Sequence, residues 1–277
     1  MNKILLKLII CGMLLSGCES FSGQQKANLT EAETEVGIPV REHAILAVLW
    51  QQLSAEYKAL CYQAFNVAHS QLDKIVAENK TKNKPLAIVT DIDETVLDNS
   101  PYNAKMIEQD AEYSKELWVE WGKEKSALPV PGAIDFLKYA ESKGVEVFYI
   151  SNRFDVQQPE TLENLKNAGF PFADAAHILL KTESSAKEPR RKKVAETHEI
   201  VMLLGDNLSD FTEVFDGQST KKRNELAESL KADFGKKFIV LPNPMYGDWE
   251  TKGLYEGSYK WTANQKDSIR KAKLRSY

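Results

Sequence analysis

Asp91 and Asp93 stand two residues apart in Asp91-Ile92-Asp93-Glu94-Thr95, just after the apolar run Leu86-Ala87-Ile88-Val89. A run of that length and branching suits a buried parallel strand. Residues i and i+2 of a regular strand share a face. At a strand's carboxyl end both acids can turn into the crevice where open α/β sheets bind ligands. Two more apolar runs end in polar groups. Ile200-Val201-Met202-Leu203-Leu204 leads into Gly205-Asp206-Asn207-Leu208-Ser209-Asp210, and Val145-Glu146-Val147-Phe148-Tyr149-Ile150 leads into Ser151-Asn152-Arg153. Lys187 lies between these two in the chain. Three strand ends with acids and small polar groups, and one lysine, outline an active site.

Taken singly, each part has a plain structural reading. Asp, Asn and Ser after strands are ordinary turn and helix-cap residues, and Asp210 could simply cap a helix. Lys187 opens the charged run Lys187-Glu188-Pro189-Arg190-Arg191-Lys192-Lys193, and such runs are usually solvated. The fixed order of the set carries the functional reading.

The elements that must position these groups follow from periodicity. From Arg41 to about Asn79, Ile45, Val48, Leu49, Leu53, Tyr57, Leu60, Phe65, Val67, Leu72 and Ile75 fall near helical spacing, predicting two helices or one bent one. The stretch 98–130 carries Tyr102, Tyr113, Trp118 and Trp121. It is too long for a plain βα loop and predicts a helical insert over the strand ends. Beyond it the pattern alternates: helix 132–142, strand 145–150, helix 159–168, strand 177–180, helix 187–198, strand 200–204, helix 219–232, strand 238–241. Alternation predicts an α/β fold, a doubly wound, Rossmann-like parallel sheet with right-handed crossovers.

The first residues have another purpose. Lys3 and Lys7 flank the apolar Ile4-Leu5-Leu6, and a further apolar run from Leu8 leads into Leu14-Leu15-Ser16-Gly17-Cys18. That run is too short to span a membrane. It reads as a signal peptide, 1–17, closed by a lipobox, with cleavage before Cys18 and lipid on its thiol and new amino terminus. Residues 18–40 are then a lipidated polar tether, and 41–277 the functional domain. The expected address is the bacterial cell envelope, with the lipoprotein anchored to a membrane through Cys18 (the outer membrane in a Gram-negative cell). Of three cysteines, Cys11 lies in the signal, Cys18 takes lipid, and Cys61 alone remains for the domain, where it reads as a small core residue.

Net charge of −4 and a pI near 5.7 argue against a nucleic-acid binder, which usually shows a basic stripe. His43, His69, His177 and His198 show no ligand spacing and read as structural or surface residues. Neither Arg-His-Gly nor Cys-x5-Arg occurs, so histidine and cysteine phosphatase mechanisms lack their nucleophiles.

Asp91-x-Asp93-x-Thr95, Ser151, Lys187 and Gly205-Asp206-x-x-x-Asp210 resemble the four motifs of the haloacid dehalogenase superfamily, the DDDD phosphohydrolases. More narrowly, Asp91 to Tyr102 (DIDETVLDNSPY) and Gly205 to Phe211 (GDNLSDF) are similar to the two signatures of bacterial class C acid phosphatases. The lipoprotein e type of that class resembles this chain from the lipobox to about Trp249. Thr90 departs from the pattern, which prefers an aliphatic residue or Ala before the first Asp. The resemblance implies a haloacid dehalogenase-like fold with a helical cap from about 41–80 and 98–130, and it allows a homodimer. It also implies that Trp118 and Tyr246 stack on the base of a nucleoside monophosphate, nicotinamide mononucleotide included. Trp121 and Trp249, which share their i, i+3 spacing, read equally well as ordinary core aromatics.

Physical logic stands beside the resemblance. A phosphate monoester is an anion that repels a carboxylate nucleophile, so a cation must lie between them. Asp91 and Asp206, with the Asp93 backbone carbonyl, offer the hard oxygens that Mg²⁺ prefers. Asp91 is then the nucleophile, forming an aspartyl-phosphate. Asp93 is the general acid/base, protonating the leaving oxygen and then taking a proton from water. Lys187, Ser151 and Asn152 bind the phosphate oxygens, and Asp210 touches the metal in a second shell or through water.

The leading reading is therefore a lipid-anchored, Mg²⁺-dependent acid phosphatase with 5′-nucleotidase activity. One rival is a surface lipoprotein that binds haem or a nucleotide on the same fold without catalysis, but a binder has no need of a second, acid-base carboxylate. A phosphotransferase or phosphomutase is disfavoured by export. A haloalkanoate dehalogenase would leave Asp93 no proton to manage.

Overall fold

The computed structural model describes residues 37–78 and 84–277; the expected signal peptide, Cys18 and the expected tether as far as residue 36 lie outside them. Two helices open the described part, α1 (Ile45–Leu53) and α2 (Ala55–Glu78). They break at Ser54, whose extended backbone ends α1 and whose hydroxyl accepts the Tyr57 N–H at 3.0 Å, as an N-cap does. α2 buries Tyr57, Cys61, Phe65, Ala68 and Leu72, one apolar stripe at helical period.

β1 (Leu86–Thr90) follows, buried at every position. After it come β2 (Leu97–Asp98), α3 (Ser100–Glu108), α4 (Lys115–Glu124) and β3 (Leu128–Pro129). The insert predicted as helical is thus two helices framed by a short antiparallel ribbon, with Leu97 opposite Pro129 and Asp98 opposite Leu128. Strands of two residues leave no periodic signal in a sequence, which is why the ribbon was not foreseen. Alternation then holds: α5 (Ala133–Ser142), β4 (Glu146–Phe154), α6 (Gln158–Ala168), β5 (Ile178–Lys181), α7 (Glu188–Thr197), β6 (Glu199–Gly205), α8 (Thr220–Ser229), β7 (Phe238–Val240) and α9 (Ala263–Lys273).

β1, β4, β5, β6 and β7 form one parallel sheet in the order β5-β4-β1-β6-β7. The chain builds from β1 through β4 to β5, then returns to the far side of β1 for β6 and β7. The order therefore reverses beside β1, and such a switch point opens a crevice at the carboxyl ends of the strands. Helices cover both faces. Leu86 and Ile88 enter one apolar cluster with α2 and α5, while Ala87 and Val89 enter another with Val194 of α7. That division is the mark of a doubly wound sheet.

β4 outruns its apolar run. It continues through Ser151, Asn152 and Arg153 to Phe154, and burial there alternates, with Ser151 and Arg153 buried and Asn152 exposed. The strand's period of two sends Asn152 to the opposite side from its neighbours.

Candidate functional site

The carboxyl ends of β1 and β6 face each other, joined where the Asp91 N–H donates to the Leu204 carbonyl at 2.9 Å. Thr90, the departure from the family pattern, is buried, and its hydroxyl donates to the Asp91 carbonyl at 2.8 Å. Past the strand end, Asp91 is buried and its Oδ1 accepts Lys187 Nζ at 2.5 Å. Lys187 stands at the entry of α7, ahead of Pro189 in the first turn, where proline is favoured. From there the buried ammonium also meets Asp210 Oδ1 at 2.6 Å.

Asp210 does two things at once. Its Oδ2 accepts the Asn207 N–H at 2.9 Å, capping the short turn Leu208–Asp210, while Oδ1 takes Lys187. The side chain thus caps the turn and also lies beside Lys187. A Cβ on Gly205 would collide with the Asp210 side chain, so glycine here is the space Asp210 occupies. Asp206 accepts from Thr95 Oγ1 at 3.3 Å and Asn243 Nδ2 at 2.8 Å.

Asp91, Asp206 and Asp210 each offer a carboxylate oxygen within 4.8 Å of the others'. Three acids share one ammonium, so negative charge is in excess. Burial pushes the Asp206 carboxyl up to about 7, helped by the charge of Asp210. Burial also raises Asp91 well above the usual range; Lys187 opposes this, and the other three aspartates reinforce it. Burial works against the Lys187 ammonium, yet Asp210 and Asp91 outweigh it and hold the lysine above its ordinary value. Excess charge and hard oxygen donors fit a divalent cation such as Mg²⁺.

Asp93 has different company. Arg153 Nε and Nη2 reach its Oδ1 at 2.9 and 2.8 Å, Asn99 Nδ2 reaches the same oxygen at 2.9 Å, and Ser151 Oγ donates to Oδ2 at 3.0 Å. Ser151 is therefore at the site, with its hydroxyl on a carboxylate. The expectation for the Asn152 side chain is corrected: it is exposed, and its Oδ1 accepts Arg190 Nη2 at 2.7 Å. Arg153 and Asn99 were missed. Arg153 had a signal, since it lies two residues beyond Ser151 on a strand and so shares its face.

The aromatic expectations divide. Trp118 is 8 % exposed and packs edge-on against Tyr102 at 5.0 Å, with the Arg153 guanidinium 5.8 Å from its ring centre. Little of its face is free for a base. Tyr246 is half-buried, with its hydroxyl donating to Glu94. Trp121 donates from Nε1 to Asn99 at 2.8 Å, and exposed Trp249 donates to the Tyr246 carbonyl at 3.1 Å. None of the four histidines joins the site: His43 pairs with Glu250, His69 stacks on Tyr139, and His177 and His198 share Glu146.

A family model described as the HAD superfamily, subfamily IIIB (acid phosphatase), matches residues 12–249. The chain is also similar to the class C acid phosphatase structure from Bacillus anthracis, at 46 % identity and a TM-score of 0.82, covering 87 % of this chain and all of that one. A second structure of that protein, with tungstate bound, matches equally well. Curated plant relatives are more distant. Acid phosphatase 1 of Solanum lycopersicum is 30 % identical over 171 residues, 57 % of each chain, and a stem 31 kDa glycoprotein of Glycine max is 27 % identical over 161 residues. The chain spans 57 % of the length of these two relatives.

Proposed function

We propose that this chain, which belongs to the acid phosphatase family of HAD subfamily IIIB, hydrolyses phosphate monoesters through an aspartyl-phosphate on Asp91. One observation carries the reading: Lys187 sits between Asp91 and Asp210 at 2.5 and 2.6 Å, while Asp93, two residues on, has an arginine, an amide and a hydroxyl of its own. Two carboxylates with such different surroundings suit two different tasks.

Asp91 attacks phosphorus and releases the alcohol. Asp93 gives that leaving oxygen a proton, then takes one from the water that cleaves the intermediate. Lys187 stabilises negative charge on the transferred group, and Ser151 orients Asp93. Asp91 and Asp206, with the Asp93 carbonyl, would hold Mg²⁺, with Asp210 reaching it through water; the ion supplies the positive charge that lets an anionic ester approach an anionic nucleophile. The tungstate of the Bacillus anthracis relative is, like phosphate, a tetrahedral oxyanion.

For substrates we favour nucleoside 5′-monophosphates, nicotinamide mononucleotide among them. Support comes from Tyr246, a partly exposed ring bonded to the residue after Asp93, since a base stacks readily on such a ring. The lipobox supports a lipid anchor at Cys18 and an envelope location. The deciding experiment is phosphate release from a panel of nucleoside monophosphates and a nitrophenyl ester, before and after chelation. Turnover that vanishes on chelation and returns with Mg²⁺ is expected. No release from any monoester would refute the phosphatase, and full activity after exhaustive chelation would refute the metal.

A further inference from the structure

Glu94 has no task in the two-step chemistry, yet it is the most constrained residue of its turn. Its φ is 60° and its exposure 0 %. Residues with a side chain rarely adopt that left-handed conformation, and it persists only where the surroundings over-determine it. A buried carboxyl also needs donors. Those of Glu94 come from one near and one distant part of the chain. The Asn99 N–H donates to Oε1 at 2.7 Å and Asn99 Nδ2 to Oε2 at 3.4 Å, while the Tyr246 hydroxyl, 152 residues further on, donates to Oε2.

The stretch carrying Tyr246 has a second attachment. Asn243 Nδ2 donates to Asp206 at 2.8 Å, and Asn243 Oδ1 accepts the N–H groups of Met245 and Tyr246 at 2.9 and 3.4 Å. Asn243 thus fixes the backbone of this loop to the end of β6, and Glu94 fixes its ring to the end of β1. Both carboxyl oxygens of Glu94 are taken up by these donors. A glutamine in its place would have a single acceptor oxygen and would turn its NH₂ toward one of these donors.

We propose that Glu94 is a positioning residue for leaving-group recognition, holding Tyr246 in place beside the catalytic turn before substrate arrives. This rests on the reading that Tyr246 stacks on a nucleoside base. Preset aromatics spare a ligand the cost of ordering them. The residue next to the acid-base carboxylate then decides how well the enzyme prefers a nucleotide over a simple ester.

Full-length Glu94→Gln and Tyr246→Phe chains, and the double variant, test this. Two measurements are made: hydrogen–deuterium exchange across residues 242–249, and kcat/KM for adenosine 5′-monophosphate against 4-nitrophenyl phosphate. Both single variants are expected to exchange faster there. Each should lower the nucleotide-to-aryl ratio at least fivefold, chiefly through the nucleotide KM, and the double variant should lose no more than one of them. Tyr246→Phe removes a single hydroxyl, so it remains informative if Glu94→Gln folds poorly. Unchanged exchange in both singles would overturn the positioning role. Equal losses on both esters, or losses that multiply in the double variant, would overturn the recognition role. A wild type with no preference for the nucleotide refutes the nucleotide reading instead, and the exchange data then decide the positioning role alone.

Discussion

Asp91 and Asp93 share a turn but not an environment, and the difference is testable one residue at a time. Asp91 faces an ammonium and two other acids; Asp93 faces a guanidinium, an amide and a hydroxyl. If both merely held a metal, removing either charge would do the same harm. In the two-step reaction it does not. Asp91→Asn should leave no covalent intermediate with any ester. Asp93→Asn keeps the nucleophile and loses proton transfer, a loss of about 10²–10⁴-fold with a nucleoside monophosphate. The loss should be smaller with nitrophenyl phosphate, whose leaving group needs no proton. The measurement is the rate ratio of the two esters, and a ratio in Asp93→Asn equal to that of wild type defeats the assignment. At this scale the sequence was legible wherever a charged residue ended an apolar run, as Asp91 and Asp206 do. The bond between Glu94 and Tyr246 had no such marker, because it joins residues that only the folded chain brings together.

Elements were legible where burial is apolar and illegible where it is polar. β1 and β6 read directly from their branched runs. The body of β4 read as directly, but its end did not, because its last residues are polar and Ser151 and Arg153 are buried by bonds to Asp93 rather than by hydrophobicity. The other end of β4 supports a prediction about pH. Glu146, at its start, accepts from His177 Nε2, just before β5, and from His198 Nε2, just before β6, each at 3.2 Å; Asp174 lies 2.8 Å from His177 Nδ1. Burial works against the Glu146 carboxyl, yet the two imidazoles outweigh it and hold it below its usual 4.5. Asp174 is lowered in the same way by His177. A carboxyl whose folded value is depressed stabilises the fold fully above its unfolded value, and the gain disappears as pH falls through the folded one. Wild-type stability, followed by urea midpoint, should therefore drop on acidification below the ordinary carboxylate range. The drop should be shallower in Glu146→Gln. Parallel curves for the two proteins would show that this cluster does not link the three strands electrostatically.

For the whole molecule the question is whether anything holds it at a membrane. Among the described residues no helix is long and apolar enough to cross one. A net charge of −4 gives the chain no general attraction to an anionic lipid surface, which binds basic segments instead. The anchor the sequence offers is the thiol of Cys18, where each acyl CH₂ buried in the bilayer contributes about 0.8 kcal/mol. We propose that this attachment is decisive. A Cys18→Ser chain lacks the thiol that takes lipid. It should then either appear in the soluble fraction, or remain at the membrane as a longer precursor whose signal was never removed. Fractionation with a size measurement separates these outcomes, and either is consistent with a lipidated cysteine. A mature-length Cys18→Ser chain retained in the membrane like wild type would mean that another part of the protein holds it there.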